Sequence, residues 1–277
     1  MAKTKASYVC TDCGSEYSRW LGQCADCKAW NTISEFRQAK LPARGGNFAG
    51  FAGTAHNDES KVQTLDAIDL ADLPRFSSGF AEFDRVLGGG IVPGSAILIG
   101  GEPGAGKSTL LLQTMCSLAN NMPALYITGE ESLQQVAMRA KRLDLPTDKL
   151  KMLSETSVEN ICHIALKEQP KIIVIDSIQV MHMSDVQSAP GSVSQVRECA
   201  AYLTRFAKQY HVAILLVGHV TKDGSLAGPK VLEHCIDCSI MLEGSTDSRY
   251  RTLRGNKNRF GAVNELGVFA MTGSGLK

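Results

Sequence analysis

Apolar runs alternate with amphipathic segments through the middle of the chain. The runs lie at residues 97–99, 124–128, 171–176 and 212–217. Each is short and almost wholly apolar, which is typical of strands buried on both faces of a parallel sheet. Between them, residues 132–143 and 193–210 carry apolar side chains at helical spacing. This alternation predicts an α/β fold with a mostly parallel central sheet, whose ligand binds at the carboxyl ends of the strands.

The segments on either side of this region have other patterns. Phe80, Phe83 and Leu87 share one helical face, and the glycines at 88–90 predict the end of that helix. After residue 235 the apolar segments are short and separated by Gly, Asn and Ser, which predicts β-hairpin strands that extend the sheet in antiparallel order.

Composition limits the class of protein. The chain has 277 residues, of which 44% are hydrophobic and 21% charged, and its net charge is +1. These values describe an ordinary globular protein, and a nucleic-acid site would need a local basic patch. No apolar run approaches 18 residues, and the N-terminus lacks an apolar export segment. We therefore expect a cytoplasmic protein without a membrane partner.

Four of the nine cysteines fall within the first 27 residues. They form two CxxC pairs: Cys10, Cys13, Cys24 and Cys27. Two such pairs this close together favour a tetrahedral Zn²⁺ site, which would supply most of the folding free energy of so short a segment. A redox-active CxxC is the alternative, although that motif normally opens a helix in a larger domain. A third pair, Cys235 and Cys238, lies in an apolar segment, where we predict buried packing.

The stretch GGEPGAGKST, residues 100–109, lies between the first apolar run and a leucine-rich, helix-like segment. Its spacing matches GxxxxGK[ST], in which successive backbone N–H groups surround phosphate oxygens at a helix N-terminus. Lys107 would contact the β- and γ-phosphates, and the Ser108 hydroxyl would ligate Mg²⁺. The predicted nucleotide-binding residues are Gly101, Glu102, Pro103, Gly104, Ala105, Gly106, Lys107, Ser108 and Thr109. An ordinary glycine-rich turn is the alternative, which the flanking strand and helix disfavour.

Carboxylates follow two of the predicted strands. Asp176 ends the third apolar run, where it would support Mg²⁺ beside Ser108, and a helix N-cap is the alternative. Glu130 and Glu131 follow the second run. We predict that Glu130 activates the attacking water and that Glu131 begins the following helix. The predicted catalytic residues are therefore Lys107, Glu130 and Asp176.

Two further features suit nucleotide or nucleic-acid chemistry. His219 follows the fourth apolar run, where a polar side chain can sense the γ-phosphate, although a lone histidine is as often structural. Residues 249–259 carry five basic side chains and no acidic one, interleaved with Tyr250 and flanked by Phe260. A basic run is usually a solvated face, yet this combination suits phosphate of either ATP or DNA.

Several of these motifs occur together, and in this order, in one known family. The four-cysteine knuckle, FSSGFAEFDRVLGGGIVPGS, GGEPGAGKST, YITGEES, IIVIDSIQ, GHVTKDG, AGPKVLEH and KNRFG resemble the bacterial RadA/Sms family of RecA-like recombination ATPases. The resemblance covers essentially the whole chain, and KNRFG is its most specific motif. The family usually continues into a protease-like C-terminal domain, whereas this chain stops at Lys277 where that domain would begin.

The resemblance implies a RecA-like fold and a DNA-dependent ATPase of recombinational repair. It implies a homo-oligomeric, six-subunit ring with ATP at each interface and single-stranded or branched DNA in the centre. It further implies branch migration and processing of stalled forks, alongside a RecA-type recombinase and the replicative helicase. The KNRFG residues, Lys257, Asn258, Arg259, Phe260 and Gly261, would couple ATP to DNA, and could reach the nucleotide of a neighbouring subunit.

These inferences divide the chain into three parts. We expect a zinc-binding knuckle at residues 1–37, a Gly- and Ala-rich flexible linker at 38–61 and a RecA-like ATPase domain at 62–277. The expected cofactors are ATP, Mg²⁺ and Zn²⁺. Two alternative functions share the phosphate loop: an ATP-gated DNA- or protein-binding module with vestigial hydrolysis, and a signalling ATPase of the circadian-clock type.

Overall fold

The computed structural model describes residues 7–10, 13–36, 64, 75–219, 232–244 and 248–277. The predicted linker at 38–61 lies outside the described residues, as do most of the GHVTKDG and AGPKVLEH motifs.

A large sheet with helices on both faces forms the body of the protein, which confirms the predicted α/β class. Its strands are β4 (Ala96–Gly100), β5 (Ala124–Thr128), β6 (Lys151–Ser154), β7 (Ile172–Asp176), β8 (Ala213–Val217), β9 (Cys238–Glu243), β10 (Tyr250–Asn258), β11 (Leu266–Thr272) and β12 (Gly275–Leu276). The helices are α1 (Ala81–Val86), α2 (Lys107–Leu118), α3 (Leu133–Arg142), α4 (Val158–Glu168) and α5 (Val193–Tyr210). Among the described residues, the strand order is β12-β11-β10-β9-β4-β8-β7-β5-β6.

The core lies in two layers because successive side chains of a strand point to opposite faces of the sheet. In β4, Ile97 and Ile99 join the apolar cluster beneath α1 and α2. Leu98 joins the cluster beneath α4 and α5. All five residues of β4, β5, β7 and β8 are buried, as the apolar runs predicted.

The strands β4 to β8 run parallel, so their carboxyl ends meet at one edge of the sheet. Thr128 at the end of β5 lies directly beside Asp176 at the end of β7. Ile99 of β4 lies beside Val217 of β8. This register brings the residues that follow four different strands to the same edge.

The direction of β9 corrects one prediction. We expected every strand after residue 235 to extend the sheet antiparallel, but β9 pairs with β4 in parallel, with Ile97 beside Cys238. The residues between β8 and β9 are numerous enough for the crossover that a parallel pair requires, and an apolar run by itself carries no information on direction. Of the described strands after residue 235, β10, β11 and β12 extend the sheet antiparallel.

Two elements, β6 and α4, were not predicted from the sequence pattern. Among the described strands, β6 is the outermost on its side of the sheet, and each of its residues is at least partly exposed. A strand in this position does not need an apolar run. The α4 helix has the ordinary signals: Ser157 caps its N-terminus by accepting from the Asn160 N–H. Its buried residues are Val158, Ile161, Cys162 and Ala165, at helical spacing.

The N-terminal segment forms a separate small sheet of three antiparallel strands. They are β1 (Ser7–Cys10), β2 (Glu16–Tyr17) and β3 (Ile33–Phe36), in the order β2-β1-β3. Its core consists of Cys10, Cys24 and Ile33. Trp20 and Trp30 lie on the surface of this segment, 57% and 69% exposed, with both rings beside Gly22.

None of the described helices combines the length and apolar character that crossing a membrane requires.

Candidate nucleotide site and metal centre

The phosphate loop connects β4 to α2 as the sequence predicts. Gly106 takes the left-handed backbone conformation at the N-cap of α2, with φ 106°, and Lys107 is the first helical residue. At Gly101, with φ 152°, a Cβ would lie 2.3 Å from the Leu242 carbonyl oxygen. Glycine is therefore required at both ends of the loop, by backbone conformation and by the close approach of β9.

Lys107 lies over this loop and is only 3% exposed. Its Nζ donates to the carbonyl oxygens of Gly101 at 2.7 Å and Glu102 at 2.9 Å. Burial lowers the pKa of Lys107, while the nearby carboxylates of Asp176 and Glu130 oppose that change. The ammonium is thus fixed at the loop next to two acids, where it would attract phosphate oxygens.

Asp176 projects from the end of β7 toward the start of α2. It is 8% exposed, and its Oδ2 accepts from the Tyr126 hydroxyl at 2.5 Å. Burial raises the pKa of Asp176, whereas hydrogen bonds from Tyr126 and Ser108 lower it. A hydroxyl beside a buried carboxylate is a donor set that suits Mg²⁺, so Ser108 and Asp176 are the residues that would hold it.

The two adjacent glutamates have different partners. Glu130 Oε1 accepts from the Ser177 hydroxyl and lies 3.4 Å from Nε2 of His219. The His219 contact lowers the pKa of Glu130 most; burial acts against it, and Ser177 lowers it further. Glu131 instead forms an ion pair with Arg139 on α3. This arrangement leaves Glu130 beside the predicted sensor histidine and engages Glu131 with the helix.

These side chains line one cleft of about 390 Å³ at the carboxyl edge of the sheet. Its lining residues are Pro103, Gly104, Gly106, Lys107, Ser108, Thr109, Thr128, Glu130, Glu131, Arg139, Arg142, Asp176, His219 and Met271. The structure thus brings together the phosphate loop, the three predicted catalytic side chains and His219.

Sequence reasoning missed several residues of this cleft. Tyr126 and Ser177 lie within the YITGEES and IIVIDSIQ motifs and contact the two acids from behind the lining, but no role was predicted for either hydroxyl. Arg139 and Arg142 are three residues apart on α3 and both line the cleft. Their spacing places them on one face of a helix that starts directly after two glutamates, and this pattern predicts cations beside those acids.

The KNRFG residues do not lie at this cleft. β10 is antiparallel to β9, and Asn258 pairs with Cys238 at the start of β9, whereas Thr252 pairs with Glu243 at its end. Residues 257–261 therefore lie at the opposite edge of the sheet, about 17 Å from the carboxyl ends along β9. Lys257 Nζ donates to the main-chain carbonyls of Glu233 and Ile236.

Asp237 is a buried charge at this opposite edge, and sequence reasoning missed it. It is 1% exposed, and its carboxylate accepts from Lys208 Nζ at 2.8 Å and from the Ala96 backbone N–H at 3.1 Å. The same carboxylate lies 3.7 Å from the side-chain Nε of Arg259. The backbone N–H of Arg259 also donates to the main-chain carbonyl of Asp237. Asp237 therefore joins α5, the start of β4 and the KNRFG segment. Its neighbours Cys235 and Cys238 are buried, as predicted.

The four N-terminal cysteines form a candidate metal centre. Their sulfur atoms all lie within 4.8 Å of one another. Cys10 and Cys27 Sγ are 3.6 Å apart, and Cys13 and Cys24 Sγ are 3.4 Å apart. A tetrahedral Zn²⁺ with Zn–S bonds of about 2.3 Å needs sulfurs about 3.8 Å apart, so the four thiols fit the ion.

Equivalent backbone hydrogen bonds close the two CxxC segments. Each closes with two equivalent hydrogen bonds: Cys10 N to Ser15 O and Gly14 N to Cys10 O in the first, Cys24 N to Ala29 O and Lys28 N to Cys24 O in the second. Polar groups surround the sulfurs, since the Tyr17 hydroxyl lies 3.0 Å from Cys24 Sγ. Burial opposes ionisation of Cys24, but the hydrogen bonds from Tyr17 and from the backbone lower its pKa to about 6. A thiolate with organised hydrogen-bond partners is typical of a structural metal ligand.

Comparison with known proteins agrees with this geometry. A family model described as an AAA domain matches residues 58–225, and one described as a rubredoxin metal binding domain matches residues 8–35. Proteins named DNA repair protein RadA from Haemophilus influenzae and Escherichia coli are 70% and 71% identical to this chain, and the one from Bacillus subtilis is 47% identical. Each alignment covers 100% of this chain and 60% of the relative, so the chain spans about 60% of the length of these relatives.

The matches and the four close cysteines confirm the predicted cofactors: ATP and Mg²⁺ for the large domain and zinc for the small one.

Proposed function

Because the chain belongs to the RadA/Sms family of AAA-domain proteins, we propose that it is a cytoplasmic DNA-dependent ATPase of recombinational DNA repair. The observation that carries the proposal is the convergence of Lys107, Ser108, Glu130 and Asp176 on one cleft. A phosphate loop alone would bind nucleotide. The additional carboxylates at neighbouring strand ends are what hydrolysis requires.

In this proposal the loop from Gly101 to Thr109 binds the triphosphate, and Lys107 contacts its terminal phosphates. Ser108 and Asp176 would hold Mg²⁺, which would supply positive charge opposite the charge that develops on the phosphates. Glu130 orients a water molecule and takes its proton as the water oxygen attacks the γ-phosphorus. The bond between that phosphorus and the β–γ bridging oxygen breaks, and ADP and inorganic phosphate leave.

The ionisation state of Glu130 suits this role. Its lowered pKa, caused first by His219 and then by Ser177, keeps the carboxylate able to accept a proton at neutral pH. His219 contacts the same carboxylate and lies at the end of β8, where it would respond to the γ-phosphate.

The DNA step involves the opposite edge of the sheet. Since Lys257 and Arg259 lie far from the cleft of their own chain, they would act on DNA or on the nucleotide of a neighbouring copy. A ring of six copies around single-stranded or branched DNA provides both options. In that setting the enzyme would drive branch migration and act on stalled forks, together with a RecA-type recombinase and the replicative helicase.

The test compares ATP hydrolysis with and without single-stranded DNA at fixed salt, beside light scattering to size the assembly. We expect DNA to raise the turnover rate and Glu130→Gln to lower it by about 10²–10⁴-fold. Glu168→Gln is the matched control, because it removes a carboxylate on α4 that is paired with Lys151 and does not line the cleft. If Glu130→Gln hydrolyses ATP like the unchanged protein while nucleotide binding persists, the assignment of the base is wrong. If DNA has no effect at any salt concentration, the DNA-dependent activity is wrong.

A further inference from the structure

Two arginines on α3 line the nucleotide cleft opposite the phosphate loop. The helix packs its Val136 and Ala140 side chains into the core, and Arg139 and Arg142 lie beside this buried stripe. Because β5 lies in the same sheet as β4, separated from it by β8 and β7, the helix that follows β5 faces the loop that follows β4 across the cleft. Arg139 and Arg142 are therefore on the side of the cleft that carries Glu130.

The guanidinium of Arg139 is only partly used. Its Nη2 forms the ion pair with Glu131, and its side chain is 20% exposed. Its Nη1 is buried and has no hydrogen-bond partner among the described residues. Leaving such a donor unpaired is costly, so its position at the edge of a phosphate site indicates an oxygen ligand.

The charge balance of the cleft gives an independent reason for a cation here. Its lining includes the acids Glu130, Glu131 and Asp176 and the bases Lys107, Arg139 and Arg142. Without the two arginines, three carboxylates would face a single ammonium. The cleft would then carry a net negative charge and would repel a triphosphate. With both arginines present, three cations balance the three carboxylates in the nucleotide-free cleft.

We infer that Arg139 is a substrate-contact residue whose free Nη1 binds the terminal phosphate of ATP, while its Nη2 remains on Glu131. The inference rests on the proposed function, because it assigns a further contact in the same site. An arginine fork suits this role, since one guanidinium can hold a carboxylate and a phosphate oxygen at once. The contact would make the cleft discriminate ATP from ADP.

The test measures dissociation constants for Mg²⁺-ADP and for a non-hydrolysable imido analogue of ATP, using the full chain. We expect Arg139→Gln to weaken binding of the analogue by about tenfold or more, since a charge-assisted hydrogen bond is lost, and ADP binding by less than about twofold. Arg139→Lys keeps the charge without the fork and should show an intermediate loss. Lys141→Gln is the matched control, because Lys141 is on the same helix, is exposed and does not line the cleft.

Two outcomes would overturn the inference. If Arg139→Gln, or Arg139→Lys where the first variant does not fold, weakens both nucleotides equally or neither, Arg139 does not contact the terminal phosphate. If Arg139→Gln has no further effect on the ratio in a Glu131→Gln background that still binds the analogue more tightly than ADP, Arg139 acts only by holding Glu131. These binding ratios need neither hydrolysis nor DNA. Failure of the proposed function would instead appear as absent turnover in the unchanged protein.

Discussion

Removing the Tyr126 hydroxyl tests whether Asp176 is held as an ionised carboxylate. Tyr126 is fully buried, and its hydroxyl donates to Asp176 Oδ2 at 2.5 Å. A hydrogen bond to a charged group contributes about 1.5–3 kcal/mol, compared with about 0.5–1.5 kcal/mol for a neutral pair. Tyr126→Phe keeps the ring and removes only the donor. We therefore expect the free energy of unfolding to fall by about 1.5–3 kcal/mol at neutral pH.

The size of this loss should depend on pH. Burial raises the pKa of Asp176, and the Tyr126 hydrogen bond lowers it by favouring the ionised form. The charge-assisted part of the bond exists only while Asp176 is ionised. The loss caused by Tyr126→Phe is therefore full above the pKa of Asp176 and decreases as the pH falls through it.

Urea unfolding at several pH values measures both effects, with Asp176→Asn as the partner in a double-mutant cycle. In the Asp176→Asn background the acceptor is neutral, so Tyr126→Phe should cost about 1 kcal/mol less than in the unchanged protein. An equal cost in both backgrounds, or a cost that does not change with pH, would refute the view that a charged Asp176 is stabilised by this hydroxyl.

Four further predictions follow from the contacts described above. Gly101→Ala should lose about 1–3 kcal/mol of stability, since its Cβ would meet the Leu242 carbonyl; urea unfolding and nucleotide binding measure this. Asp237→Ala should lose about 3–5 kcal/mol in the same unfolding assay, because it leaves the largely buried Lys208 ammonium without its partner. Removal of zinc by a chelator should unfold the small N-terminal sheet and leave the large sheet intact; limited proteolysis detects the unfolding, and zinc analysis confirms the loss of the ion. If Arg259 acts on a neighbouring copy, mixing Arg259→Gln with Glu130→Gln chains should restore hydrolysis that neither variant shows alone; no recovery would contradict this.

Local signals predicted the phosphate loop and its surroundings. The strand before Gly101, the helix from Lys107 and the carboxylates after β5 and β7 all follow from short stretches read by themselves. Their meeting at one edge follows from a general property of parallel sheets. For this reason the elements that position the cleft could be predicted from the sequence.

Long-range contacts could not be predicted in the same way. Tyr126 looks like any aromatic residue in a buried strand until β7 places Asp176 beside it. Asp237 is one acid among many in the sequence, and only the fold brings Lys208 and Arg259 to it. The parallel direction of β9 likewise depends on where the chain re-enters the sheet.

The nucleotide cleft and the KNRFG segment lie at opposite ends of the central strands. The start of β4 is hydrogen-bonded to Asp237, and the end of β4 leads into the phosphate loop at Gly101. Asp237 also contacts Arg259, so this one buried strand connects the nucleotide cleft to the KNRFG segment within a chain. Because β4 is paired on both sides and wholly buried, it would move as a rigid rod rather than stretch. A change at the phosphate loop that shifts β4 would therefore also shift Asp237 and Arg259.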